Sequence, residues 1–210
     1  MIPVESLLLF IVASVLMILT PGQDMYLVMT RSVSQGARAG IITAAGISTG
    51  LLGHTLIVGL GLGAVIRASE TVFIIMKIIG ALYLIWLAVG ILRQPVDAMT
   101  TSALPPSSSR KLFVYGALSN LVNPKIVIFY LAFLPQFVAV DASRPTISLL
   151  LLGTIFAALT FIIKAPIGMA AGALSSLVRR NPSIQRWINR ISAGVLVILG
   201  IRLLLARETP

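Results

Sequence analysis

The chain has 210 residues, of which 58% are hydrophobic and 10% charged, and its formal net charge is +10. Soluble domains carry about 25% charged residues, so this chain has too little polar surface to coat a water-facing globule, and a soluble fold is excluded. The lack of cysteine excludes disulfides and thiol redox chemistry. One histidine and six acids are a poor kit for a metal centre or a nucleophile–base pair.

A positive balance suits nucleic acid in a soluble protein. In a membrane chain it first reports loop orientation, so no nucleic-acid partner is read from it. Uncharged runs at residues 6–23, 39–66 and 145–163 are each about long enough to cross a hydrocarbon core near 30 Å thick. A cleaved signal peptide is not expected, because no Lys or Arg precedes the first run and Pro21 stands where small residues would be needed.

Span 1 is predicted from about Pro3 to Met29, with Thr20-Pro21-Gly22-Gln23-Asp24 a little past its middle. Pro21 lacks an N–H and must kink or break the helix, and Gly22 is expected to let another backbone approach closely. Asp24 is the only acid deep inside any predicted span. A loop carrying Arg31 and Arg38 is expected over Arg31–Gly40. Span 2, about Ala39 to Ile66, places Gly46, Gly50, Gly53 and His54 on one helical face suited to tight contact, and Gly59 and Gly63 repeat the pattern. His54 is read as a hydrogen-bonded packing residue before a proton relay, and stays a site candidate on the second count.

Span 3, about Thr71 to Leu92, carries Lys77 one and a half turns in. Snorkelling to the near interface is the favoured reading there, so Lys77 is a weaker site candidate than Lys125. Residues 93–111, RQPVDAMTTSALPPSSSRK, read as a flexible hydrophilic linker. Span 4, about Leu112 to Val138, contains SNLVNPKIVIFYLAFLPQF. Pro124 breaks it, and Asn123 is pushed out of helical geometry into a capping position. Lys125 beside the break costs about 2.5–3.5 kcal/mol at mid-membrane, so it is expected to face a partner or a wet cavity. The alternative is a short interfacial segment with Lys125 snorkelling to water. Span 5 runs from Pro145 to about Leu174, interrupted by Lys164 and Pro166, with Gly168 and Gly172 as a packing pair. Span 6 covers about Trp187 to Leu205.

The reading is an all-α polytopic membrane protein of six helices, a single transporter domain over residues 1–210. Repeat one covers 1–92, the polar linker 93–111 and repeat two 112–210. Each half opens with a proline-broken helix, and three spans per half give the halves opposite orientation, so an inverted repeat with a solute site at the breaks is expected. Loops 1–2, 3–4 and 5–6 carry two, three and four Lys or Arg against one each in loops 2–3 and 4–5, which puts both termini outside. If the breaks meet, Asp24 and Lys125 lie near one another. They would neutralise each other when empty and separate to hold the two charges of a zwitterion, with N–H groups of the restarted helices as further donors. Asp24 is the plausible proton carrier, its ionisation set by burial against the distance to the cation.

Three stretches, LTPGQDMYLVMTRSVSQGARAGIITAAGISTG, MKIIGALYLIWLAVGILR and NLVNPKIVIFYLAFLPQF, resemble the LysE/RhtB family of bacterial amino-acid exporters, in order and over nearly the whole chain. The resemblance implies a six-span protein of the bacterial inner membrane that exports amino acids or close derivatives by proton antiport, and it leaves a homodimer open. It puts functional weight on Pro21, Gly22, Asp24, Asn123, Pro124 and Lys125. The family commonly reads Pro-Gly-Pro where this chain has Pro21-Gly22-Gln23, which restores a backbone donor and adds an amide. No cofactor or metal is expected. The other readings are an exporter of a different small solute or ion, and an integral-membrane enzyme. A metal-cation exporter should show several intramembrane carboxylates or histidines, whereas lysines outnumber them here.

Overall fold

The computed structural model describes residues 2–93, 105–138, 142–171 and 182–205. Among these residues every regular element is helical. Helix α1 (Val4–Leu19) stops where Pro21 offers no amide to continue it, and the Thr20 N–H and hydroxyl turn back onto the Leu16 carbonyl. Thr20 and Gly22 are extended, and α2 (Gln23–Gln35) restarts at an angle of 54° to α1. Gly22 does not admit a neighbouring backbone as expected: a Cβ there would meet nothing within 4 Å. Its missing side chain leaves open space instead of a helix contact.

The loop expected over Arg31–Gly40 shrinks to one residue, because Arg31 lies inside α2 and Gly36 alone links α2 to α3 (Ala37–Ala68). Gly36 has φ 87°, a left-handed backbone that a side chain would strain, at the usual place for a helix-ending glycine. Helix α4 (Glu70–Arg93) follows. The end of the predicted flexible linker is held: Arg31 Nη1 donates to the Pro105 carbonyl and to Ser107 Oγ, and Ser107 N donates to Gln35 Oε1 at 2.7 Å. Residues 94–104 of that linker lie outside the described residues.

Ser108 caps α5 (Ser109–Leu121), accepting from Lys111 N. The second break is tighter than the first. Only Val122 and Asn123 separate α5 from α6 (Pro124–Phe133), and Pro124 takes the first helical position, where a missing donor costs nothing. The two helices, with the 3-10 turn Leu134–Phe137, bend by 58°. Helix α7 (Pro145–Met169) runs through Lys164 and Pro166 without the expected interruption, as buried helices do when neighbours support the freed carbonyl. It ends five residues short of the predicted limit, and Gly172 lies outside the described residues. Helix α8 (Pro182–Leu205) closes the chain.

Ala37–Ala64, Ile74–Arg93 and Pro145–Met169 are each long and apolar enough to cross a membrane, and the two bent pairs raise the number to five if each is one span. Large apolar side chains such as Ile57, Trp86, Ile162 and Ile198 are over 60% exposed on the outer surface. The interior holds an aromatic cluster in which Phe129 stacks on Phe133 at 4.7 Å and Phe10 meets Phe137 edge-on at 5.1 Å.

The predicted glycine face of α3 does make tight helix contact, with backbone at Gly46 and Gly50 and with a side chain at Gly53. Gly46 lies against Phe113 and Ala117, Gly50 against Ala117 and Asn120, Gly53 against Leu121, and Gly116 of α5 against Thr43. Rising numbers on one helix meet rising numbers on the other, so α3 and α5 run parallel. On another side α3 meets α7 in the reverse sense: Gly40 against Gly168, Thr55 against Gly153, Gly59 against Leu150 and Gly63 against Thr146. These two run antiparallel. Helix α4 lies along α8, where Gly200 admits Ala81 and Ile85.

Candidate functional site

The two breaks meet. Gln23 Nε2 donates to Ser119 Oγ at 3.2 Å, and Asn123 Nδ2 donates to Gln23 Oε1 at 3.4 Å. One residue on, Asn120 Nδ2 donates to Asp24 Oδ2 at 2.9 Å. The polar groups around both prolines thus form one constellation, with the amide of Gln23 reaching from the end of α5 into the second break.

Asp24 is buried in the first turn of α2, where amides without intrahelical acceptors and the helix dipole favour a carboxylate. Its cationic partner comes from α7: Lys164 Nζ lies 3.6 Å from Asp24 Oδ2, and Lys164 is buried as well. An isolated ion there would carry a large desolvation cost. The opposite charge and the Asn120 hydrogen bond offset it. Thr160 stands one turn before Lys164 on the same wall, its hydroxyl bonded to the Phe156 carbonyl.

These groups face a cavity of about 430 Å³. Thr20, Gln23, Asp24, Asn123, Thr160 and Lys164 supply its polar lining. The rest of the lining is largely apolar, with Ile18, Leu51, Leu87, Ile91, Phe129 and Phe156. Small-molecule sites combine such a wall with a few placed polar groups, and cavities of roughly 300–1,000 Å³ are usual for them.

Of the residues singled out from sequence, Pro21, Gly22, Gln23, Asp24 and Asn123 line this cavity. Lys125 is the second residue of α6, but its side chain lies outside the described residues, so the expected Asp24–Lys125 pair does too. The cation that the described structure brings to Asp24 is Lys164, which the sequence had marked only as an interruption of span 5. His54 is buried behind the site, its ring 5.8 Å from that of Tyr130, with Nε2 3.1 Å from the Asn120 carbonyl oxygen. That is the packing position, one residue removed from the cavity. Lys77 is not among the cavity's lining residues, and its carbonyl accepts from Gln136 Nε2 at 3.1 Å.

Sequence reasoning gave no site role to Asn120, although it lies in the same polar stretch as Asn123, Pro124 and Lys125, and passed over Thr160. Asn120 had a readable signal, because it lies four residues before Pro124 and must lose its helical hydrogen bond. Thr160 had none beyond sharing a helical face with Lys164.

Residues 15–207 match the family model described as LysE type translocator. The chain is similar to the uncharacterized membrane protein YrhP of Bacillus subtilis, at 33% identity over 94% of this chain and 98% of that one. It is 30% identical to the homoserine/homoserine lactone efflux protein of Salmonella typhimurium, over 95% of this chain and 96% of the relative. The leucine efflux protein of Klebsiella pneumoniae is 25% identical, with 95% of each chain covered. No solved structure matches.

Proposed function

The chain belongs to the LysE type translocator family, a transporter and not an enzyme, and from that premise we propose that it exports amino acids or closely related zwitterions from the bacterial cytoplasm in exchange for protons. The observation that carries this reading is the buried Asp24–Lys164 pair in the cavity where both breaks meet. When the site is empty the pair neutralises itself. A zwitterion offers the same two charges: its ammonium takes Asp24 while its carboxylate takes Lys164 and the first-turn amides of α2. The remaining wall is apolar, which suits a neutral cargo side chain. Asp24 is the proton carrier in this scheme. A proton on it removes the charge that holds the cargo ammonium, so proton entry and cargo release are linked.

Six spans in two inverted halves remain our reading of the architecture. Its support is the sense of the helix contacts: α3 runs parallel to α5 and antiparallel to its own counterpart α7, as alternating crossings require. We place the protein in the bacterial inner membrane on the strength of its family, and both termini outside on the strength of the loop charges.

The test is uptake of a labelled amino-acid panel by everted membrane vesicles under an imposed proton gradient. Gradient-dependent uptake that Asp24→Asn and Lys164→Ala both abolish is the expected result, with Lys125→Ala run alongside. Proton-independent transport retained by Asp24→Asn would remove Asp24 from coupling. No movement of any amino acid by the folded, inserted protein would end the zwitterion reading and leave another small solute as cargo.

A further inference from the structure

Asn120 is fully buried and stands four residues before Pro124. In an unbroken helix the amide of residue 124 would bond the Asn120 carbonyl, but proline has no such amide. The carbonyl accepts instead from Asn123 N at 3.1 Å and from His54 Nε2, also at 3.1 Å. A carbonyl only accepts, so His54 carries a proton on Nε2. The backbone of Asn120 is thereby anchored to α3, while its side chain reaches α2.

That side chain is half used. Nδ2 donates to Asp24 Oδ2, whereas Oδ1 is buried without a hydrogen-bond partner and lies over Gly50, where a Cβ would come within 3.1 Å of it. Asp24 shows a matching vacancy, because its Oδ1 is also buried and unbonded. A carboxylate can only accept, so ionised Asp24 requires the NH2 side of the amide. A carboxylic acid has an O–H to donate and requires an acceptor. An asparagine offers both from one position, by turning its terminal amide about χ2.

Among the described residues, Asn120 and Lys164 are the groups joined to Asp24. Lys164, from α7, has donors only, and His54, from α3, spends Nε2 on the Asn120 carbonyl. Tyr26 lines the cavity from α2 and is 36% exposed, and Tyr130 of α6 packs against His54. We propose that Asn120 is a two-way positioning partner for Asp24: it donates through Nδ2 to the carboxylate and, with its amide turned over, accepts through Oδ1 from the carboxylic acid. The balance is simple. One proton passes from water to an Asp24 oxygen, and one O–H bond forms. The unpaired Oδ1 is then the half of the device that waits for the proton. This rests on Asp24 being the proton carrier.

Infrared difference spectra of the purified protein in lipid, stepped from alkaline to acidic medium, test it without reference to transport. Asp24→Asn identifies the carboxylic C=O band that belongs to Asp24. In the native protein that band should fall at a hydrogen-bonded frequency and be accompanied by a shift of an amide C=O band. In Asn120→Leu the amide change should vanish and the acid band move to higher frequency. Asn120→Asp, whose acid form again offers donor and acceptor, should bring the lower frequency back. If Asn120→Leu does not fold, Asn120→Ala makes the same reading with a smaller side chain. An Asp24 band indifferent to every Asn120 variant overturns the proposal and leaves the carrier role standing. An Asp24 that never shows an acid band overturns both.

Discussion

The first and second breaks answer the same constraint in opposite ways. Each contains a proline that cannot continue the helix before it. At the first, Thr20 and Gly22 stay extended on either side of Pro21, all three line the cavity, and the acid comes afterwards, in the first turn of α2. At the second, Pro124 is absorbed as the first residue of α6, and the amides come beforehand, at the end of α5. A helix beginning that favours negative charge therefore faces a helix end that carries neutral donors. Two similar interruptions in sequence become complementary halves of one site, because the polar residues lie on opposite sides of their prolines.

Four substitutions probe that division. The largest effect is expected at the charged half. Lys164→Met leaves Asp24 buried without its cation, and breaking such a pair costs about 3–5 kcal/mol, with the double variant Asp24→Asn/Lys164→Met recovering most of the loss. Thermal unfolding in detergent measures both, and additive losses would mean the two side chains are independent. The seat of the amide half comes next. A Cβ at Gly50 would lie 2.7 Å from the Ala117 carbonyl oxygen and 2.9 Å from Asn120 Cβ, so Gly50→Val should cost about 1–3 kcal/mol by overpacking.

Gln23→Pro tests the bridge between the halves. Proline is tolerated at a first helical position, so stability should change by no more than about 1 kcal/mol. The bonds to Ser119 and Asn123 are lost, however, so the rank order of cargo in vesicle uptake should change. An unchanged ranking would deny Gln23 a part in recognition. Gly22→Ala should do least to the fold, within about 0.5 kcal/mol, since φ −160° suits alanine and nothing lies near the added methyl. A large loss of stability there would show that the open side of the first break is packed after all.

What was legible in the sequence is what depends on position along a single helix. Both breaks and the tight glycine face of α3 follow from residue order, and each lies where it was expected. Rotation about a helix axis and the choice of neighbour were not legible. Helix α7 is apolar nearly all round, so no stripe marks which face turns inward, and Lys164 could not be assigned to Asp24 before the helices were packed. Gly22 misled for a related reason, since an absent side chain can mean close contact or open space. The linker end misled through composition: Ser107 reads as flexible until Arg31 and Gln35, over seventy positions earlier, bind it.

The glycine seams of α3 carry a mechanical consequence. Where backbone lies on backbone there are no rotamers to repack, so a seam of this kind transmits displacement instead of absorbing it. Toward α5 the contact is of this kind, with Gly46 and Gly116 lying on backbone, whereas toward α7 only Gly40 and Gly168 meet backbone to backbone and the other glycines meet side chains of Thr55, Thr146 and Leu150. Any stroke that changes which side of the membrane the cavity faces must turn α3 and α5 as one rigid piece, leaving the give to contacts built from longer side chains.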